Sequence, residues 1–286
     1  MKTYDELILQ LKRHDVFVAG HDLPPHSTNL MHQLGKRDEK NIGLFNEVCS
    51  RYFQFRESLE KESCYFDSYV NGIVDSADAY LSFLVNGNPF SHQQDFSSSV
   101  IPEMFFFLFQ EIIKRNGSGI SVQAQNDLPI ECMFDLAEGG RIIFKNKRLD
   151  LTLCLKSLLV LNGKEYSLPL PLLAMEIKTN LDKNMLAGIE NSVAALKKTF
   201  PRCQYYVVSE FADFDTRKLN YASTDIDEIY ILRNQKRAEV RSVGTKRNGI
   251  NKELVKELVQ KADYMLRETN QRRLELEQRM RMGKLI

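Results

Sequence analysis

The sequence is short of the features by which many functional classes declare themselves. Net charge is almost absent: 39 Lys and Arg against 38 Asp and Glu leave +1, so any nucleic-acid surface must come from uneven distribution. Apolar runs are brief. The longest, such as Met104 to Phe109, fall far below the ~20 residues a membrane helix needs. The opening Met1-Lys2-Thr3-Tyr4-Asp5-Glu6 carries acids where a secretory leader needs an apolar stretch, so none is expected. Cysteine is sparse and scattered. Cys49, Cys64, Cys132, Cys154 and Cys203 are odd in number and form no CxxC, which reads as reduced thiols in a cytoplasmic protein without a zinc site. The histidines (His14, His21, His26, His32 and His92) all lie in the first third, with no HExxH pair, which argues against a histidine-based hydrolase. No internal repeat or low-complexity tract is visible.

What is present is an ordinary globular composition, 43% hydrophobic and 27% charged. At 286 residues there is room for one large domain, or for a core with a helical extension. Residues 1–95 read mostly as helix. Tyr4 to Leu11 is a short amphipathic piece, followed by a loop with Gly20, Pro24 and Pro25. Leu44, Val48, Tyr52, Phe55 and Leu59, then Tyr69, Ile73, Ala77 and Leu81, predict two long helices between Ile42 and Leu84, ended by Asn86-Gly87-Asn88-Pro89. Ser97-Ser98-Ser99 then offers an N-cap for a helix from Val100 to Lys114, apolar on nearly all sides and so buried. Glu103 sits in its first turn, where an acid also suits the helix dipole. Gly117 to Glu138 reads as loop-rich, with no clear element.

The chain is organised around the strand Leu172-Leu173-Ala174-Met175-Glu176-Ile177-Lys178. Alternate residues of a strand share a face, so Leu173, Met175 and Ile177 form an apolar side, while Ala174, Glu176 and Lys178 form the other. A carboxylate and an ammonium two apart at the end of an apolar strand are costly to bury. An ion pair at a sheet edge is one use for them; coordination of a hard cation such as Mg2+, with Lys178 reaching the same spot, is another. Upstream, after a turn at Gly139-Gly140, Leu149, Leu151, Leu153 and Leu155 alternate with Asp150, Thr152, Cys154 and Lys156, and Asn162-Gly163 signals a hairpin. A two-residue turn there makes paired residue numbers sum to 325 and puts Asp150 opposite Met175. A slip of one residue, made plausible by Pro169 and Pro171, would bring Asp150 and Glu176 onto one face.

Asp182 is placed to cap a helix with Leu186, Ile189, Val193, Leu196 and Phe200 on one side, ended by Pro201. Gln204 to Ser209 and Asp225 to Leu232 read as further strands. Glu210, Asp213 and Asp215 could approach the site or simply be solvated. Asn234 to Asn248 is basic, with Lys236, Arg237, Arg241, Lys246 and Arg247 against Glu239 alone. Asn251 to Met280 reads as one long, charged surface helix.

The order of helix with an early Glu, hairpin with Asp, strand with Glu-x-Lys, helix and strand resembles the PD-(D/E)XK nuclease superfamily over residues 97–232. The resemblance implies an α/β fold with a mixed-sheet, restriction-endonuclease-like core (α-β-β-β-α-β) and helical additions at both ends. The parts would be a helical region 1–95, a nuclease core 96–233 and a basic stretch with C-terminal helix 234–286. It implies Asp150 and Glu176 as Mg2+ ligands, Lys178 as the residue acting on the attacking water, and Glu103 as a catalytic helper. Leu149 stands where the motif's Pro is found. The string Glu176-Ile177-Lys178-Thr179-Asn180-Leu181-Asp182-Lys183-Asn184-Met185, with Thr224-Asp225-Ile226-Asp227-Glu228, is similar to a group of type II restriction endonucleases cutting interrupted sites such as CCTNAGC. That implies Mg2+-dependent, sequence-specific cleavage of double-stranded DNA by a homodimer, paired functionally with a cognate DNA methyltransferase. Lys183, Lys236, Arg237, Arg241, Lys246 and Arg247 are the candidate phosphate contacts. A repair or recombination nuclease of the same superfamily, or a non-cleaving DNA-binding protein on that scaffold, are the alternatives.

Overall fold

A computed structural model describes residues 1–18, 24–37, 39–60, 66–87, 94–116, 119–135, 141–161, 163–214, 224–240 and 246–283. The first third is helical: α1 (Tyr4–Val18), α2 (Pro25–Gly35), α3 (Ile42–Glu60) and α4 (Phe66–Gly87). The two long helices expected between Ile42 and Leu84 are α3 and α4. Helix α2 has no counterpart in the sequence reading, where Pro24 and Pro25 were loop residues. Pro25 instead opens the helix, since the first turn has no use for its missing N–H.

A short α5 (Gln94–Ser98) leads into α6 (Val100–Asn116), β1 (Ile120–Asp135), β2 (Arg141–Leu161), β3 (Lys164–Leu181), α7 (Lys183–Thr199) and β4 (Gln204–Ala212). From α6 to β4 this is the α-β-β-β-α-β order implied by the resemblance. A short β5 (Glu228–Ile231), α8 (Arg237–Val240) and α9 (Lys252–Arg281) complete the described elements. β1 replaces the loop expected over residues 117–138. Its alternation is broken by the irregularity between Pro129 and Glu131, so period-two counting does not find it. The hydroxyl of Ser99 does not cap α6; it donates to the Phe96 carbonyl and meets His26 Nδ1 at 2.9 Å.

The five strands form one sheet in the order β1-β2-β3-β4-β5. β1, β2 and β3 are antiparallel neighbours; β3, β4 and β5 run parallel. The β2–β3 register starts as a two-residue hairpin, Leu161 opposite Lys164. It then shifts by one between Leu153 and Cys154, so that Leu151 pairs with Met175. Leu172 is the extra residue, next to Pro171. The slip is the one the prolines made plausible, and one step further along it sets Asp150 against Glu176.

The sheet is covered on both faces. On one, Leu151, Leu153, Leu173, Met175 and Ile177 share a core with α6, the N-terminal helices and α9. On the other, Ala174, Tyr205 and Val207 pack with Leu186, Ile189, Val193 and Leu196 of α7. Asp182 caps α7 by accepting a bond from the Met185 N–H at 2.8 Å. The surface position expected for the last helix fails over its first half. Val255, Leu258, Val259, Ala262 and Leu266 are buried in the first core, a stripe at three- and four-residue spacing hidden among charges.

Candidate active site

The β2–β3 ladder stops at Leu151 and Met175, and the strands part there. The next β3 amide that needs a partner, the Ile177 N–H, donates instead to Asp150 Oδ2 at 2.7 Å. The other oxygen, Oδ1, accepts from the amide of Gln125 at 3.1 Å. Glu176, nearly buried, accepts from the Tyr205 hydroxyl at 2.7 Å on Oε2. The Lys178 ammonium stands 2.9 Å from Oε1, and Lys147 stands 3.4 Å from Oε2. The fold therefore brings Asp150, Glu176 and Lys178 together, and adds Gln125, Lys147 and Tyr205.

The two acids lie in opposite electrostatic states. Burial, reinforced by the neighbouring Glu176 charge, pushes the Asp150 carboxyl above the usual aspartate range, against the bonds from Ile177 and Gln125 and the charge of Lys178. Burial also works on Glu176. The hydrogen bonds from Tyr205 and Lys178, with the charges of Lys178 and Lys147, outweigh it and leave that carboxyl below the usual range. For Lys178, burial disfavours the ammonium, yet the bond and charge of Glu176 and the charge of Asp150 hold its pKa above the ordinary lysine value.

Asp150 and Ile177 also border a cavity of about 470 Å³. Its opposite wall comes from the helical region: Thr28 and Asn29 of α2, Ser98 of α5 and Pro102 of α6. Helix α2, for which the sequence suggested no specific task, thus shares a cavity with Asp150. Among the described residues of that lining, Asp150 is the one that carries a charge.

Glu103 is not brought to this cluster. It is fully buried, and both its oxygens are engaged elsewhere. Oε2 accepts from the backbone N–H groups of His26 (2.8 Å) and Ser27 (3.0 Å), Oε1 accepts from the Tyr52 hydroxyl (2.6 Å), and Arg56 lies 3.9 Å away. Those two N–H groups belong to the first turn of α2, whose N-cap Pro24 has no side chain with which to serve them. Glu103 caps α2 from a different helix.

The basic stretch is divided. Arg247 pairs with Glu210 and lies over the Phe211 ring at 5.4 Å. Glu210 is itself buried in β4 and takes a second bond from Arg233 at 2.7 Å, so neither Glu210 nor Arg247 faces the acid pair as a free charge. Asp213 accepts from Asn180 and from the backbone N–H of Arg237. Lys183, Lys236 and Lys246 are exposed; Arg241 and Asp215 lie outside the described residues.

Sequence reasoning missed Gln125, Lys147 and Tyr205. Tyr205 had a usable signal: in the parallel register it lies opposite Ala174, on the Glu176 face. Gln125 gave none, because β1 itself was not legible, and Lys147 lies on β2 before the alternating leucines begin, where nothing marked it out.

Comparison with known proteins bears out the resemblance to type II restriction endonucleases. Residues 139–274 match the model of the Bpu10I restriction endonuclease family. A solved structure of the native BbvCI A2B2 tetramer at low resolution is similar to the chain with a TM-score of 0.66 and 23% identity. The similarity covers 85% of this chain and 95% of that one. No curated protein matches.

Proposed function

We propose that this chain, a member by resemblance of the Bpu10I-like restriction endonucleases, is a Mg2+-dependent type II enzyme that cuts double-stranded DNA at a specific sequence. The observation that carries this reading is the meeting of Asp150, Glu176 and Lys178 where β2 and β3 part. Family match and fold support the nuclease class; the metal and the sequence specificity are our extension.

The donor set suits magnesium. Two carboxylates supply hard oxygens, and among the described residues no cluster of three His, Cys, Asp or Glu side chains forms that could cage a metal. Magnesium is held in this sparse way, through one or two carboxylates with water and phosphate completing the shell. When bound, the ion supplies positive charge beside the scissile phosphate. The remaining tasks fall to the chain. Glu176 holds the Lys178 ammonium at the edge of the cluster, where it can orient an attacking water and meet the negative charge that grows on the phosphate. Lys147 adds a second positive charge on the other side of Glu176. Lys183, Lys236 and Lys246, being exposed, remain the phosphate contacts of this reading, whereas Arg247 is committed to Glu210.

The test is plasmid DNA with Mg2+. Discrete fragments are expected; smearing or structure-dependent cutting would favour a repair nuclease, and no cutting would favour a binding protein. Asp150→Ala and Glu176→Ala should abolish cleavage yet keep specific DNA binding, which tightens without metal because a negative charge facing phosphate is gone. Lys178→Ala should lower the single-turnover rate by about 10²–10³-fold with Ca2+-supported binding unchanged, the pattern of a contact made in the transition state. Near wild-type cutting by Lys178→Ala would reduce the pair to a plain ion pair.

A further inference from the structure

We infer that Gln125 and Tyr205 are positioning residues for the two metal-binding acids, each holding one carboxylate from the strand next to it. Gln125 on β1 fixes Asp150 of β2, and Tyr205 on β4 fixes Glu176 of β3. The inference rests on the nuclease reading above.

Gln125 has a backbone φ of +51°, inside β1, between the regular pairs Ala124–Leu151 and Asn126–Leu149. Arg37 is the other non-glycine residue with positive φ among the described ones. A left-handed conformation costs an ordinary L-residue about 1–2 kcal/mol, and nothing in a β-strand calls for it. Its local result is specific: the kink falls at the position facing Asp150 and turns the Gln125 amide onto Oδ1 at 3.1 Å. Since Oδ2 is already held by the Ile177 N–H, both oxygens of Asp150 are pinned.

Tyr205 does the same for Glu176 from the other side. Its ring is buried in the second core, so its hydroxyl, 2.7 Å from Oε2, has little freedom to leave. Both donors are neutral. A neutral donor orients a carboxylate without cancelling its charge, which leaves that charge for a cation. Lys147 and Lys178, by contrast, compete with a cation for Glu176. Partners of this kind on metal ligands are worth about 10–100-fold in metal affinity.

The experiment is a titration of the full chain with Mn2+, the free ion followed by electron paramagnetic resonance, with urea unfolding alongside. Gln125→Gly removes the amide and suits the left-handed backbone. It should unfold at the same urea concentration as the parent or a higher one, yet bind Mn2+ about 10–100-fold more weakly. Gln125→Asn tolerates the same backbone and should recover part of the affinity. Tyr205→Phe keeps the buried ring and should lose affinity in the same range. If Gln125→Gly binds Mn2+ within about twofold of the parent while Asp150→Ala does not, the inference is overturned and the metal site stands. If parent and Asp150→Ala take up Mn2+ alike, the metal reading falls first and this inference with it.

Discussion

Glu103 sits in the first turn of α6, where the sequence allowed either a catalytic task or a favourable charge on the helix dipole. The structure gives it a third: it closes the N-terminus of α2 and balances the buried Arg56. Burial pushes the Glu103 carboxyl up, while Arg56, Tyr52 and the α2 amides oppose that rise. Glu103→Ala should therefore cost stability, about 3–5 kcal/mol, because it strands a buried guanidinium and uncaps a helix. Urea unfolding decides it. A variant with parental stability and no cleavage would return Glu103 to the chemistry. Asp150, Glu176 and Lys178 were legible because each is a charge set in an apolar strand, a costly placement that asks for a reason. Glu103 was not, since a single acid in a helix carries no sign of which elements will fold against it. Gln125 was invisible for a related cause: a glutamine reveals its worth only through a backbone angle.

At the scale of elements, legibility followed periodicity. The alternation of Leu149, Leu151, Leu153 and Leu155 gave β2, and the three- to four-residue spacing of Leu186, Ile189, Val193 and Leu196 gave α7. The β2–β3 shift was foreseeable because proline cannot donate to a ladder and two prolines stood on one strand. β1 was lost where its register breaks. In α9, charge masked a buried stripe, and the error there is measurable. Leu258→Ala should destabilise the fold by about 2–5 kcal/mol, the range for emptying a buried leucine site. Tyr264→Ala, on the exposed side of the same helix, should change stability by less than about 0.5 kcal/mol. Equal and small effects from both would put α9 back on the surface.

Over the whole molecule, and on the proposed function, one set of Asp150, Glu176 and Lys178 would serve one strand of a duplex. Concerted cutting of both strands would then call for a second chain. We expect at least two chains on each cleaved site, measured by sedimentation of the protein with metal-free duplex. One chain per duplex, with both strands still cut together, would refute it. With a net charge of only +1, positive charge is concentrated locally, Lys147 and Lys178 both standing beside Glu176.

The first core joins the two ends of the chain. Tyr4, Leu7 and Leu11 of α1 share it with Val255, Leu258 and Leu266 of α9, and α4 and α6 lie between them. A ribosome makes these pieces in order, so the apolar flanks of α4 and α6 wait, uncovered, through the synthesis of the entire sheet. Translation that halts before residue 266 leaves a protein with every residue of the acid pair and its lysine already in place along the chain, but without the helix that closes the fold around them. Such a fragment would present bare apolar surface in place of the finished core. On the nuclease reading, α9 would then also act as a safety catch.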